Sequence, residues 1–370
     1  MHLLIITKTL SKRDGQGRYA LGLLRELVKN HTATVLTSEM PDEPIEFLSS
    51  VEVVKIPYLL SLRNFSAVFK YWLVIFKYHK QVDAVHFFTD LPNYLFLAPK
   101  RLLRKRYFIT AHGTFSIASL DRGWRKIFLQ KIYQKAEKVF CISHFTEKEI
   151  KKRVDLNNTV VINNGVDFEK FDRLYQKVKN EVNKSNQPTI ITVGAVKPRK
   201  GHEYALQAVA FFKGKYSDLK YYIVGDKGSD DYFKLLDKII TENSLQNNVI
   251  FFNNISDEEL VKLYTQANLF LFTPVNHAGV YFEGFGLVCL EAGVCELPVV
   301  GSRDCGVEDA VRDGVTGYLV PQKESQEIAA AIDKILSNKE LASQMGMANR
   351  EFARSLTWEK VAKKYNKYYN

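Results

Sequence analysis

Short apolar runs alternate with longer segments of helical periodicity along almost the whole chain. Near the N-terminus "HLLIIT" predicts a strand, and the following "QGRYALGLLRELVKN" carries apolar residues at helical spacing. Further strands are predicted at "DAVHFF", "RYFITAHG" and "KVFCIS", with helical patterns between them. This alternation is typical of β–α–β units, in which helices connect the strands of a parallel sheet.

A polar stretch divides this pattern into two halves. Residues 176–187, "QKVKNEVNKSNQ", predict a linker, after which strands are predicted at "PTIITVG", "KYYIVGD", "NVIFFNN", "NLFLFTP", "LPVVGS" and "GYLVP". The sequence therefore predicts an α/β fold of two Rossmann-like domains with a cleft between them. Ligands of such sheets bind beyond the carboxyl ends of the strands, so the loops that follow strands are the candidate sites.

Composition narrows the class of protein. Of the 370 residues 46% are hydrophobic and 25% charged, which is typical of a globular chain. The four cysteines form no pattern with zinc spacing, and we expect buried free thiols in a reducing cytosol. No apolar run approaches the roughly 20 residues of a membrane span, and the N-terminus does not resemble a signal peptide.

Positive charge is concentrated in the first half of the chain. Residues 1–180 hold 30 Lys and Arg against 17 Asp and Glu, whereas the remainder is nearly balanced. In "SLRNFSAVFKYWLVIFKYHK" the residues Arg63, Lys70 and Lys77 repeat every seven positions and would form one stripe on a helix. "DRGWRKIFLQKIYQK" and "KRLLRKR" add further basic segments. These basic segments favour contact with an anionic membrane. Alternatively, their lysines lie on the solvent-exposed side of helices that flank the sheet.

Basic residues follow the first strand of the second half. In "ITVGAVKPRKGHEYALQAV" the strand ends at Gly194, and Lys197, Arg199 and Lys200 precede a helix that opens near His202. Basic side chains beside a helix N-terminus favour an anion site, because free backbone N–H groups add to their charge. Alternatively, these residues form a basic turn exposed to solvent. The neighbouring glycine-rich strand end "IVGDKG" favours a phosphate site over that alternative.

Two glutamates stand among apolar residues and glycines in "YFEGFGLVCLEAGVCELPVVG". Glu283 and Glu291 are eight positions apart, and buried carboxylates need partners. A helix is predicted from about Gly286, so its first turn would offer N–H groups to an anion. Glu291, within that helix, could accept hydrogen bonds from ribose hydroxyls. Alternatively, both glutamates are structural and bind backbone amides or lysines.

These motifs resemble those of a known family. Residues 281–321, "YFEGFGLVCLEAGVCELPVVGSRDCGVEDAVRDGVTGYLVP", are similar to the donor-site signature of the retaining GT-B glycosyltransferases of family 4 (group 1). "VGAVKPRKGHEYAL" resembles the family's phosphate-binding loop. "ITAHGTFS", "VFCISHFTEKEI", "VVINNGVDFEKF" and "LTWEKVAKKY" match further landmarks in the same order, over nearly the whole chain.

The resemblance implies roles for particular residues. The implied catalytic residues are Glu283, facing the donor sugar, and His112, approaching it from the N-terminal domain. The implied donor-binding residues are Arg199 and Lys200 at the pyrophosphate, Glu291 at the ribose, Gly284, Phe285, Gly286 and Leu287 in the adjoining loop, and Gly15 and Gly17 in the first loop. Two positions depart from the family pattern. Ala195 stands where Arg is frequent, and Asp304-Cys305-Gly306 replaces the usual Gly-Gly.

The resemblance also implies an overall function. We expect an acceptor-binding domain over residues 1–170, a nucleotide-sugar-binding domain over 171–352, and a helix over 353–370 that packs back on the first domain. The expected enzyme moves a hexose, with retention, from a UDP- or GDP-linked donor to a saccharide or lipid-linked acceptor. No Asp-x-Asp triplet is present, so a metal-bound diphosphate is not expected, and no other cofactor is expected either.

The expected location is the cytoplasm, and peripheral contact with the inner face of a membrane is left open by the basic segments. Two alternatives remain: a related GT-B enzyme, such as an epimerase or a phosphorylase, and a basic nucleic-acid-binding module. Against the latter, the aromatic residues lie within apolar runs and no nucleic-acid-binding motif is present.

Overall fold

The computed structural model describes residues 1–59, 64–100, 102–121, 123, 126–181, 187–277 and 279–369. The chain divides into two compact units. The N-terminal unit comprises Met1–Gly165 and Trp358–Asn370, and the C-terminal unit comprises Val166–Thr357. The sequence placed these boundaries after residues 170 and 352. The chain passes from one unit to the other at 165–166 and returns at 357–358. Val166 and Thr357, at these two points, form a parallel bridge.

The N-terminal unit contains a seven-stranded parallel sheet in the order β3-β2-β1-β4-β5-β6-β7. Its strands are β1 (His2–Thr9), β2 (Thr32–Glu39), β3 (Glu52–Lys55), β4 (Ala84–Phe87), β5 (Arg106–Ala111), β6 (Lys138–Cys141) and β7 (Thr159–Val161). Its helices are α1 (Gly15–Leu27), α2 (Phe65–Tyr78), α3 (Pro92–Phe96), α4 (Thr114–Asp121), α5 (Lys126–Lys135), α6 (His144–Lys151) and α14 (Trp358–Tyr369). The order reverses between β1 and β4, which is where open sheets of this kind bind ligands.

The last helix of the chain, α14, belongs to the N-terminal unit. The Trp358 indole lies where a side chain at Gly22 of α1 would otherwise stand: a Cβ there would be 2.2 Å from the ring. Farther along α14, the buried Tyr365 hydroxyl is 3.0 Å from the hydroxyl of Tyr19. Glycine at position 22 therefore allows α14 to pack directly on α1.

The C-terminal unit contains a six-stranded parallel sheet in the order β10-β9-β8-β11-β12-β13. Its strands are β8 (Thr189–Val193), β9 (Lys220–Val224), β10 (Val249–Phe252), β11 (Leu269–Phe272), β12 (Val299–Ser302) and β13 (Gly317–Val320). Its helices are α7 (Phe168–Val178), α8 (His202–Ala210), α9 (Asp230–Glu242), α10 (Asp257–Gln266), α11 (Leu287–Val294), α12 (Ser325–Leu336) and α13 (Lys339–Ser355). Strand β8 lies between β9 and β11, so the order reverses at β8 and β11.

Both sheets have buried cores, as the sequence pattern predicts. The strands β8 and β11 are buried along their whole length, because helices cover both faces of a parallel sheet. The predicted α/β fold with two Rossmann-like domains is confirmed. All four cysteines are buried and unpaired. Within the described residues, no helix has the length and apolar content needed to cross a membrane.

Candidate functional site

The loop after β8 carries the basic residues that the sequence singled out. Val193 ends the strand, and residues 198–200 form a short 3₁₀ turn that leads through Gly201 into α8. The Arg199 carbonyl accepts a hydrogen bond of 2.9 Å from the backbone N–H of Val275, which follows β11. The reversal of strand order therefore brings the loops after β8 and β11 together.

Two cations of this loop converge on one carboxylate oxygen. Arg199 Nη1 and Lys200 Nζ each donate to Glu283 Oε2 at 2.6 Å. Glu283 and Lys200 are largely buried, with side-chain exposures of 14% and 11%, whereas Arg199 is 37% exposed. The structure thus brings together three of the predicted site residues, as a buried ion pair with a more exposed second cation.

Electrostatics hold this cluster in its charged form. Burial acts to raise the pKa of Glu283, but the charges of Lys200 and Arg199 and their hydrogen bonds lower it more strongly, to about 2. Burial lowers the pKa of Lys200, and the Glu283 charge opposes that effect. Glu283 is therefore an ionised carboxylate near neutral pH, and it stabilises the ammonium beside it.

Two neighbours of Lys200 were not identified from the sequence. The Nζ atom lies 4.5 Å from the ring centroid of Phe272, in a cation–π arrangement at the end of β11. His202, buried at the start of α8, has its pKa lowered to about 4 by burial and by the Lys200 charge. Its imidazole is therefore neutral. Phe272 could have been found by the rule that directs attention to strand ends.

The segment that holds both glutamates, residues 281–301, contains α11; we call it the glutamate segment. As predicted, this helix begins at the glycine: Gly286 precedes it with φ of 93°, and Leu287 is its first residue. Glu291 lies on α11 and is buried. Burial and the charge of Glu283 raise the pKa of the Cys289 thiol, although the charge of Lys200 acts to lower it. Glu283 thus precedes α11, and Glu291 lies within the same helix.

The loop after β12 packs against the same segment. The Gly306 N–H donates to the Glu283 carbonyl at 2.8 Å, and a Cβ on Gly306 would be 2.0 Å from the Gly284 carbonyl oxygen. Asp304 has φ of 55°, a left-handed conformation that glycine adopts most readily. In Asp304-Cys305-Gly306, glycine is therefore kept at position 306, where a side chain cannot fit. Asp304 takes the left-handed conformation.

Ala195, the other departure from the family pattern, follows Gly194 at the end of β8. Its methyl side chain cannot bind phosphate. Lys197, a basic residue of the same loop, is exposed and precedes the 3₁₀ turn. Its part in binding an anion stays a prediction.

His112 lies at the end of β5 in the N-terminal unit. Its backbone N–H donates to Asp90 Oδ2 at 2.8 Å, and its Nε2 is 2.8 Å from the Phe88 carbonyl oxygen. A carbonyl can only accept, so Nε2 carries the proton of the neutral ring and Nδ1 is left as an acceptor. Burial lowers the pKa of His112, although the nearby Asp90 acts to raise it. Asp90 was not among the predicted site residues. It lies in the loop after β4, and a search of the loops that follow strands would have included it.

The loop after β1 leads into α1, and this helix contacts His112. Tyr19 of this helix meets the His112 ring edge-on, with centroids 4.7 Å apart. A Cβ at Gly17 would be 1.9 Å from the Ser11 carbonyl oxygen, whereas one at Gly15 would meet nothing within 4 Å. Glycine is thus required at position 17, because the Ser11 carbonyl leaves no room for a side chain. No such contact with the described residues requires glycine at position 15. The Asp14 side chain caps α1 by accepting from the Gly17 N–H at 2.8 Å.

Comparisons with known proteins follow the same division of the chain. Residues 13–170 match the model "Glycosyltransferase Family 4", and residues 175–352 match the model "Glycosyl transferases group 1". A GDP-mannose-dependent α-(1-6)-phosphatidylinositol monomannoside mannosyltransferase of Mycolicibacterium smegmatis is 25% identical over 368 residues, which cover 95% of this chain and 93% of that protein.

Solved structures match over the full length. HepE from Anabaena, in complex with UDP, superposes with a TM-score of 0.80 at 20% identity and 99% coverage of both chains. WaaG, a glycosyltransferase involved in lipopolysaccharide biosynthesis, superposes with a TM-score of 0.71 at 16% identity and 98% coverage of both chains. At these identities the likeness establishes the fold.

The fold and the matched models define a glycosyltransferase of the GT-B class. The chain belongs to the group 1 glycosyltransferases, and the resemblance drawn from its motifs is confirmed. Membership of this family favours a transferase over the nucleic-acid-binding module that the basic first half left open.

Proposed function

We propose that the chain is a retaining, metal-independent glycosyltransferase. Its donor would be a UDP- or GDP-linked hexose, and its acceptor a saccharide or a lipid-linked glycan. In this proposal Arg199 and Lys200 bind the diphosphate of the donor, Glu291 binds the ribose, and Glu283 faces the sugar. His112 contributes from the N-terminal unit.

One observation carries the proposal: two cations meet one ionised carboxylate between the loops after β8 and β11. Cleavage of the bond between an anomeric carbon and a diphosphate places negative charge on the leaving group and positive charge on the sugar. A site for this reaction needs fixed charges of both signs within a few ångströms of each other. Arg199, Lys200 and Glu283 provide them.

The charge balance favours catalysis by side chains in place of a metal ion. Two cations and one carboxylate leave the cluster with a net positive charge. A guanidinium has five N–H donors and an ammonium three, so both cations keep donors for phosphate oxygens after pairing with Glu283. The N-terminus of α11, which begins at Leu287, directs its positive dipole end toward an anion bound there.

Glu283 is suited to the sugar side of the reaction. Both of its charged hydrogen bonds fall on Oε2, and Oε1 accepts none from the described residues. With a pKa of about 2, the group stays ionised and can stabilise an oxocarbenium-like transition state or accept from a sugar hydroxyl. We propose that it does so without forming a covalent intermediate.

The relatives favour the proposed donor and acceptor classes. The mycobacterial relative is named for GDP-mannose and a phosphatidylinositol mannoside, and the HepE structure contains UDP. A nucleoside diphosphate is common to these descriptions, and another HepE structure contains UDP-glucose. A lipid-linked acceptor would also give a reason for peripheral membrane contact by the basic N-terminal unit.

The stereochemistry can be tested without knowing the acceptor. Glycosyltransferases transfer slowly to water, so NMR can identify the anomer that first appears from an α-linked nucleotide sugar. The proposal predicts the α anomer, at a rate unchanged by EDTA. First appearance of the β anomer would exclude retention, and loss of the reaction in EDTA would exclude metal independence.

A further inference from the structure

Helix α2 has two apolar faces, and among the described residues only one of them is buried. Ala67, Tyr71, Ile75 and Tyr78 are buried. Large apolar side chains also cover the opposite, exposed face. They are Phe65, Phe69, Trp72, Leu73 and Phe76, with exposures of 81% and 60% for the first two. At 100° per residue they span about 100° of the helix circumference, so they form one stripe.

A second exposed apolar patch lies on α5 and is connected to the first. Ile127 and Phe128 are exposed. The Phe128 ring meets that of Phe96 at 5.9 Å between centroids, and Trp72 Nε1 donates to the neighbouring Leu97 carbonyl at 2.8 Å. The end of α3 therefore joins the exposed faces of α2 and α5 into one surface, which we call the α2–α5 face.

The chain segments in which this face lies are basic in sequence. Residues 64–82, 91–106 and 123–136 contain three, five and four Lys or Arg and no Asp or Glu. Not all of these cations belong to the face: Arg101 and Arg125 lie outside the described residues, and Arg106 donates to backbone carbonyls at the end of α14. Lys70 and Lys77 are exposed and flank the aromatic stripe on one side of α2. Arg63, the third member of the stripe predicted from sequence, lies outside the described residues.

We propose that the α2–α5 face docks on an anionic lipid bilayer. The proposal rests on the proposed function, since it names the surface by which a transferase with a lipid-linked acceptor would meet its substrate. Exposed aromatic and aliphatic side chains enter the boundary between headgroups and acyl chains. Lysines beside them keep their ammonium groups among anionic headgroups while their stems stay in apolar contact.

Charge also argues against a second copy of the chain as the occupant. A two-fold symmetric dimer through this face would bring the same basic segments together, with no carboxylate of these segments to compensate. An anionic bilayer supplies both the apolar volume and the opposite charge.

Cosedimentation with vesicles tests the proposal on the full chain. Wild type should pellet with vesicles of phosphatidylcholine and phosphatidylglycerol, much less with phosphatidylcholine alone, and less at high salt. The variant Phe65→Ser/Phe69→Ser/Phe76→Ser should lose at least tenfold in partitioning, and Lys70→Gln/Lys77→Gln should lose the preference for anionic lipid. The matched control is Phe211→Ser/Leu235→Ser, which alters two exposed apolar side chains of the C-terminal unit and should bind as wild type does.

Three results would overturn the proposal: no binding by wild type, equal binding by the triple variant, or a dimer of wild type that the triple variant abolishes. The thermal shift caused by nucleotide sugars is measured on the same proteins. A donor shift without vesicle binding rejects only the docking surface, whereas vesicle binding without any donor shift rejects only the proposed function.

Discussion

Lys200 Nζ lies 2.6 Å from Glu283 Oε2, although the two residues are 83 positions apart in the chain. The parallel sheet creates this contact, because β8 and β11 are neighbours and their carboxyl ends lie at the same edge. The Phe272 ring lies 4.5 Å from the same Nζ atom and adds a cation–π contact. The pair joins the basic loop to the glutamate segment, the two motifs from which the function was predicted.

Replacing Glu283 with Gln should reduce turnover by roughly 10²–10³-fold, because the negative charge beside the sugar is lost while the side chain keeps its shape. Donor binding should persist, since both cations remain. Initial rates and donor titrations measure the two effects. Glu258→Gln, which removes an exposed ion pair with Lys177, serves as the control and should leave turnover unchanged. Equal turnover in both variants would exclude Glu283 from the reaction.

Replacing Lys200 with Ala should weaken nucleotide binding more than the corresponding change at Arg199. Lys200 is the more buried cation, and a charge in a less aqueous environment interacts more strongly with a diphosphate. Calorimetry with UDP and GDP measures both variants against Lys262→Ala, a surface lysine of the same unit. The ranking would be contradicted if the Arg199 variant lost more affinity.

Stability should depend on Glu283 in the acid range. Because the pKa of the folded state, about 2, is below the ordinary value of 4.5, the folded protein binds fewer protons. The contribution is fully present above pH 4.5 and is lost as the pH falls toward 2. Urea unfolding of wild type and Glu283→Gln from pH 6 to pH 3 should show a difference that narrows with acidity. A constant difference would mean that Glu283 is not held ionised by its partners.

Replacing Gly306 with Ala should disturb the glutamate segment. The added Cβ would be 2.0 Å from the Gly284 carbonyl oxygen, so one of the two loops must move. We expect a loss of about 1–3 kcal/mol in the free energy of unfolding, with weaker donor binding. Gly214→Ala is the control, since a Cβ there meets nothing within 4 Å. Equal stability of both variants would show that the loops adapt without cost.

Much of the fold could be predicted because apolar runs and helical periodicity are local properties of a sequence. The strands that sequence analysis missed are less regular. "TATVLTSE" of β2 alternates threonine with apolar residues, and β3 and β7 are strands of four and three residues at the two edges of the sheet. The predicted linker also overlaps the end of α7, which continues to Val178. In "QKVKN" a single apolar residue among polar ones gave too little periodicity to extend the helix.

The site was harder to predict, since its contacts join distant segments. Spacing identified Glu283 and the Arg199–Lys200 pair as candidates, yet only the sheet order places them on one oxygen. Phe272 and Asp90 were missed because neither belongs to a motif. Both stand at or just after the carboxyl end of a strand, and that general rule would have included them.

Thermal shift with a panel of UDP- and GDP-sugars tests the central claim most directly, with wild type, Lys200→Ala and Glu291→Ala measured in parallel. Ligand that binds the native state raises the melting temperature by mass action. The account predicts a rise with sugars of one nucleotide base, lost in both variants. The absence of a rise with every nucleotide sugar, or an equal rise in wild type and both variants, would contradict it.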